Sequence, residues 1–311
     1  MNVKKREGVM MFKDLKKALA DIKNLEVHYN HVLKDYTSFK IGGKADIFAI
    51  PKSRAALVAL LQLVQDYKTP FFLLGKGSNV IIGDRGYRGL VIYTGELKDV
   101  IIKGNIIEAE AGISLAALAN KALAAGLSGL EFASGIPGSL GGALFMNAGA
   151  YGSEMKDVVK EATLLDYTGK EYNYSKEDLK LSYRHSILQE KPLIALSVTM
   201  ELQPGNKEAI KAKMLDLNRR RKEKQPLEWP SAGSIFKRPP GYYAGPLIEE
   251  AGLKGLRVGD AQISEKHAGF IINLGNATAA DVLELVRLVQ DKVYQEKGIK
   301  LELEPRFIGE F

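Results

Sequence analysis

Ser234 lies in the stretch SAGSIFKRP, residues 231–239, with small residues ahead of it and Phe236, Lys237 and Arg238 behind. A serine so tightly set, beside two cations and with no obvious base to deprotonate it, lacks what an attacking serine needs. Two glycine-rich segments raise a second kind of chemistry. In LLGKGSNVII, Gly75 and Gly77 follow an apolar run, but a third glycine is missing and Val-Ile-Ile follows in place of a helix. That excludes the usual dinucleotide fingerprint. It leaves a tight strand-loop-strand turn, read either as a plain hairpin or as a concavity where backbone N–H groups, Ser78 and Asn79 meet phosphate oxygens. In IPGSLGGALFMNAGAYG, Gly138, Gly141, Gly142 and Gly149 strip side chains over twelve residues. Such thinning admits a flat ligand to the backbone, or serves close helix-strand packing. Ser139 is expected to cap a short helix aimed at a phosphate. The chain has no cysteine, so redox work needs a borrowed cofactor, and the two loops together point to an adenine dinucleotide held outside the usual fold. His28 and His31 form an H-x-x-H pair without nearby acidic partners, which reads as a surface feature, and no metal is expected.

The elements that must position these residues can be read from pattern. YTSFKIGGKADIFAIPKS suggests strand, Gly-Gly turn and strand, after which Ser53 caps a helix to about Tyr67 with Leu57, Leu60, Leu61 and Val64 on one face. A second helix is expected from Ser114 to a stop at Gly126. Residues 203–206, QPGN, read as a linker. After it comes a basic helix over 207–224, halted by Pro226, and then a helix opened by Thr278 and Asp281 with Val282, Leu285, Val286, Val289 and Val293 buried. In GIKLELEPRFIG, Leu301 and Leu303 point one way, Glu302 and Glu304 the other.

The chain has 311 residues, enough for two or three subdomains, and its 46% hydrophobic and 26% charged composition is that of a globular protein. Of the net charge of +7, residues 1–17 carry +4, leaving a body too mildly basic to imply nucleic acid but suited to an anionic small molecule. The basic start is not followed by an apolar run, no segment reaches the roughly 20 apolar residues of a membrane span, and Met11 is a candidate initiator. A cytoplasmic, monomeric protein with no nucleic-acid or membrane partner is expected.

In order and spacing, YTSFKIGGKAD, GKGSN, GIPGSLGGALFMNAGAYG, SYRHS, SAGSIFKRP and LEPRFIG resemble the UDP-N-acetylenolpyruvoylglucosamine reductase family over roughly residues 30–309. The resemblance implies an α+β protein: an FAD-binding fold of the vanillyl-alcohol-oxidase type in two subdomains over 30–205, after an N-terminal segment and helix at 1–29, then an α+β substrate-binding domain over 206–311. It implies noncovalent FAD, NADPH as hydride donor, UDP-N-acetylglucosamine enolpyruvate as substrate, and a role in peptidoglycan synthesis.

It also assigns roles. Arg184 matches the arginine that grips the substrate carboxylate and stabilises the enolate-like intermediate. Ser234 matches the general acid that protonates the carbanion, with cations such as Lys237 favouring the transient alkoxide. Glu304 matches the catalytic glutamate; from local pattern alone it reads as a solvent-facing strand residue. Tyr36, Gly75, Gly77, Ser78, Asn79, Gly138, Ser139, Gly141, Gly142, Asn147 and Gly149 fall at cofactor-binding positions, and Lys224, Lys237 and Arg238 at substrate-binding ones. Arg219, Arg220 and Arg221 read as a solvated helix face that steers the diphosphate. Two departures stand out: Arg238 replaces the family's usual asparagine, and 49 residues separate Arg184 from Ser234, leaving no room for the tyrosine-bearing loop of some members. The rival readings are an FAD-dependent oxidase or dehydrogenase of a sugar or hydroxy acid, and a nucleic-acid module using the 207–224 helix, which lacks interleaved aromatics.

Overall fold

The computed structural model describes residues 14–311, so Met11 and most of the basic start lie outside the described residues. By packing, the chain divides into two compact units that do not follow its linear order. The described part of the first holds residues 14–31, 46–75 and 89–210; the second holds 32–45, 76–88 and 211–311. This division by packing is interleaved along the chain. Residues 14–20 form helix α1. The later helices are α2 (Arg54–Asp66), α3 (Leu115–Ala124), α4 (Leu140–Met146), α5 (Lys207–Lys224), α6 (Ala244–Glu250) and α7 (Ala279–Lys297).

Strands Leu25–Val32, Lys44–Pro51, Tyr87–Tyr93 and Phe71–Leu74, most of whose residues belong to the first unit, lie in that order in one sheet. Helix α2 starts where expected, because the Ser53 side chain accepts from the Ala56 N–H, and it buries Leu57, Leu60, Leu61 and Val64. These pack with Leu15, Leu19, Ile47, Leu90 and Leu196 into one apolar core. Each such side chain contributes roughly 1.5–3 kcal/mol through burial. A second, antiparallel sheet orders Glu171–Ser175, Val159–Asp166, Leu193–Glu201, Ile106–Glu110 and Val100–Lys103. Helix α3 is capped by Ser114 and ended by left-handed Gly126, as the sequence indicates.

In the second unit, Ser231–Ser234, Phe270–Asn273, Ala261–Ile263 and Arg257–Val258 make an antiparallel sheet, and Val80–Ile82 runs parallel to Arg306–Ile308. Helix α7 opens with the expected capping box of Thr278 and Asp281 and closes at left-handed Gly298. Its first two amides, of Ala279 and Ala280, also donate to the Asp84 carboxylate at 2.8 and 3.1 Å. Val282, Leu285, Val286, Val289 and Val293 bury against Ile248, Ile263, Ile271 and Phe236.

Three expectations need correction. No strand forms over residues 36–41; Lys34–Tyr36 is a 3-10 turn, and the Thr37 hydroxyl lies within hydrogen-bond reach of both the Lys34 and the Ile41 carbonyls, at 3.1 and 3.0 Å, which ties the segment back on itself. Phe71–Leu74 and Val80–Ile82 are not a hairpin, since each pairs in parallel with a different strand. The linker reading of 203–206 fails because Gln203–Pro204 pairs antiparallel with Leu127–Ser128.

Candidate active site

In the first unit the two glycine segments meet. A Cβ on Gly75 would stand 2.4 Å from the Ser139 hydroxyl, so only a bare Cα passes there. Ser139, almost fully buried, caps α4 by accepting from the Gly142 N–H at 3.4 Å. The amides of Leu140 and Gly141 donate to Ile113 and Ala111 carbonyls at 2.9 and 2.7 Å. The first-turn donors of α4 therefore serve the fold, which corrects the expectation that the capped helix aims them at a phosphate. Gly141 answers to close packing, because its Cβ would sit 2.9 Å from that of Ala111. Gly142 differs: an added Cβ meets only the Ser139 hydroxyl, at 3.4 Å, so its backbone has an uncovered face. Gly138 accepts the Leu115 N–H at 3.0 Å. Gly149 lies in a hairpin pairing Gly149–Ala150 with Ser153–Glu154, where Tyr151 and Gly152 are both left-handed as a two-residue turn requires.

Arg184 also belongs to the first unit. Ser182 and His185 exchange backbone hydrogen bonds of 3.2 and 3.1 Å around Tyr183 and Arg184, and Arg184 has φ +55°. Its guanidinium lies 5.2 Å from the Tyr183 ring centre. Asn147, expected at the cofactor, is fully buried and spent on the backbone: its amide donates to the Ser182 carbonyl at 3.0 Å and its oxygen accepts from the Lys156 N–H at 2.9 Å. Below the turn, a hydrogen bond from the Lys180 ammonium holds the Glu190 carboxyl below its ordinary pKa.

In the second unit, Tyr36, Gly77, Ser78, Asn79, Ser234 and Glu304 come together through the backbone. The Gly77 carbonyl accepts from the Ser38 N–H at 3.1 Å, and a Cβ on Gly77 would fall 2.0 Å from the Tyr36 carbonyl oxygen. The Ser38 hydroxyl donates to the Ser231 carbonyl at 2.7 Å. Asn79 donates from its side chain to the Glu304 carbonyl at 3.4 Å and accepts the Arg306 N–H at 3.1 Å. Ser234 ends its strand after an irregularity in register, beside Gly233 at φ +77°, which is how a bulge re-aims a side chain. The Glu304 N–H donates to the Ile235 carbonyl at 2.9 Å, and Phe236 bridges Leu303, so the serine and glutamate segments lie side by side. Glu304 is half-buried, not solvent-facing as its alternation suggests, whereas Glu302 does face solvent.

The expected substrate contacts are spread over this unit. Lys237 is 3.5 Å from the Glu302 carboxylate, Lys224 is exposed at the end of α5, and Arg238 stacks 4.5 Å from the Tyr243 ring centre. Arg219 pairs with Asp216 and Glu223, and Arg220 with Asp216, so much of the α5 charge is neutralised on its own helix. Burial holds the His267 imidazole below its ordinary pKa, and the Gly269 N–H donates to its Nδ1. His28 and His31 lie 4.8 Å apart with their rings tilted, and His31 stacks on Phe48; His28 Nε2 lies 2.8 Å from the Glu26 carboxylate, which corrects the expectation that the pair has no acidic partner, and no group of three metal-ligating side chains gathers among the described residues. The residues that sequence reasoning missed are Ser186 and Gln189, whose signal is visible only in three dimensions: both donate to the Phe145 carbonyl at 2.8 Å.

Residues 45–175 match the family model of the FAD binding domain. A solved berberine bridge enzyme variant, described as a reticuline dehydrogenase, shares the fold at 17% identity and a TM-score of 0.50, covering 62% of this chain and 44% of its own. The fold is that of the FAD-binding domain of the vanillyl-alcohol-oxidase type, in an α+β protein. Residues 225–308 match the C-terminal domain of UDP-N-acetylenolpyruvoylglucosamine reductase. A protein of that name from Caldanaerobacter subterraneus subsp. tengcongensis is 54% identical, covering 93% of this chain and 96% of the relative. The crystal structure of the reductase (MurB) from Thermus caldophilus is 40% identical with a TM-score of 0.78, covering 91% and 98%. The chain belongs to the UDP-N-acetylenolpyruvoylglucosamine reductase family.

Proposed function

We propose that Arg184, Ser234 and Glu304 carry the chemistry of a family reaction that reduces UDP-N-acetylglucosamine enolpyruvate to UDP-N-acetylmuramate for peptidoglycan synthesis, with NADPH as donor. FAD, when bound, supplies the two-electron carrier between NADPH and the enolpyruvyl double bond. The uncovered backbone of Gly142, beside Gly138 and Ser139, fits the close approach of such a group in the first unit. Tyr36, Gly77, Ser78 and Asn79 are assigned to the cofactor by the family resemblance.

The Arg184 guanidinium grips the substrate carboxylate through its planar fork and balances the charge that develops as hydride arrives. The Ser234 hydroxyl then gives its proton to the neighbouring carbon. Glu304 stands on the segment hydrogen-bonded to that of Ser234, and this adjacency is the observation that best supports the pair. Lys224, Lys237 and Arg238 supply positive charge for the carboxylate and diphosphate. We assign FAD binding chiefly to 30–205 and substrate binding chiefly to 206–311, in a monomer that works in the cytoplasm. Among the described residues no helix is long and apolar enough to cross a membrane. Ser234→Ala tests the roles by anaerobic stopped flow: reduction by NADPH stays near wild type while reoxidation by the enolpyruvyl substrate slows ~10²–10⁴-fold. Equal losses in both half-reactions would count against the assignment.

A further inference from the structure

Arg184 occupies backbone that penalises its own side chain. At φ +55° a Cβ crowds the following carbonyl, and a two-residue turn of this kind ordinarily places glycine or asparagine there. The conformation persists because surrounding groups hold it. The Gln189 amide donates to the Arg184 carbonyl at 3.0 Å and to the Phe145 carbonyl at 2.8 Å. Asn147 holds the Ser182 carbonyl from the other end of the turn, and the Ser186 hydroxyl bonds the same Phe145 carbonyl as Gln189. Phe145 and Asn147 are the last turn and the left-handed cap of α4, the helix that begins in the glycine segment.

We infer that Gln189, with Asn147, is a positioning residue for Arg184: it locks the turn to the end of α4 and so sets the direction in which the guanidinium leaves the backbone. This makes Asn147 a positioning residue as well, with its amide turned to the chain and not to a ligand. The inference rests on the assignment of Arg184 to the substrate carboxylate. A loosened turn leaves the charge in place but spreads its direction, and misplacement of about 1 Å can cost up to ~10²-fold in rate.

The test is a double-mutant cycle of Gln189→Ala and Arg184→Ala, with Asn147→Ser as a third variant. Gln189 is exposed, so its replacement leaves the fold intact. Gln189→Ala is expected to lower kcat for the enolpyruvyl substrate about tenfold while the rate of reduction by NADPH and the melting temperature stay near wild type. In the Arg184→Ala background it should have no further effect, because the group it aims is gone. Hydrogen exchange of the cofactor-free protein should show faster exchange of the His185 N–H in Gln189→Ala and Asn147→Ser. If Arg184→Ala turns over like wild type, the reading of Arg184 itself falls. If Arg184→Ala is slow but Gln189→Ala multiplies with it, leaves kcat unchanged, or lowers both half-reactions and the melting temperature together, the positioning inference falls alone.

Discussion

The contact between Gly75 and Ser139 makes a prediction with a definite sign. Alanine at 75 puts a methyl 2.4 Å from the Ser139 hydroxyl, and the backbone there is not in the left-handed region, so the hydroxyl is what must move. Rotated away, it no longer accepts from Gly142, and α4 loses its cap. Loss of such a cap costs about 1 kcal/mol, whether by displacement or by Ser139→Ala. Gly75→Ala also stabilises by roughly 0.5 kcal/mol by restricting the unfolded chain, so alone it is destabilising by about 0.5 kcal/mol. Once Ser139→Ala has removed the hydroxyl, the nearest neighbour is the residue 139 Cβ at 3.5 Å, an ordinary contact. The second change then becomes stabilising, and the pair couples by about 1 kcal/mol. Urea unfolding followed by circular dichroism at 222 nm, with equal m values, reads all four corners of the cycle. Additivity within about 0.4 kcal/mol would refute the reasoning.

Two further outcomes are expected. Asp84→Ala removes a carboxylate that accepts from both Ala279 and Ala280, and it should destabilise by about 1–2 kcal/mol in the same assay, with Asp84→Asn intermediate. His267 has a depressed folded pKa because of burial, with the Lys254 charge also opposing protonation, so the unfolded state binds more protons in mild acid. Its contribution is present above the unfolded value of about 6.5 and is lost as pH falls through the lower folded value; His267→Gln should flatten the decline in stability below pH ~6.5, and an unchanged slope would sink the idea.

Helices were legible wherever one side chain carried the signal. Ser53, Ser114 and the Thr278–Asp281 box announce their helices because the cap and its target lie within three residues. Strand partners were not legible. Phe71–Leu74 and Val80–Ile82 look like a hairpin by spacing, yet their partners are Tyr87–Tyr93 and Arg306–Ile308, and nothing local encodes that choice. The stretch over residues 36–41 reads like a strand, but the Thr37 hydroxyl and left-handed Lys40 fold it back. For the candidate site, the glycine segments were visible as composition, while Arg184 and Glu304 entered by family resemblance. Glu304 in particular sits in an alternating run whose period says solvent, and only its neighbours, Asn79 and the Ile235 carbonyl, draw it inward.

The pairing of Val80–Ile82 with Arg306–Ile308 has a bearing on how the chain is made. At a ribosomal pace of 5–20 residues per second, the earlier strand waits roughly 10–45 s for its mate to emerge. Through that interval Phe39, Ile41 and Ile81 have none of the late residues they will pack against. Residues 32–45 and 76–88 therefore complete their packing only when the last helix and strand have been made.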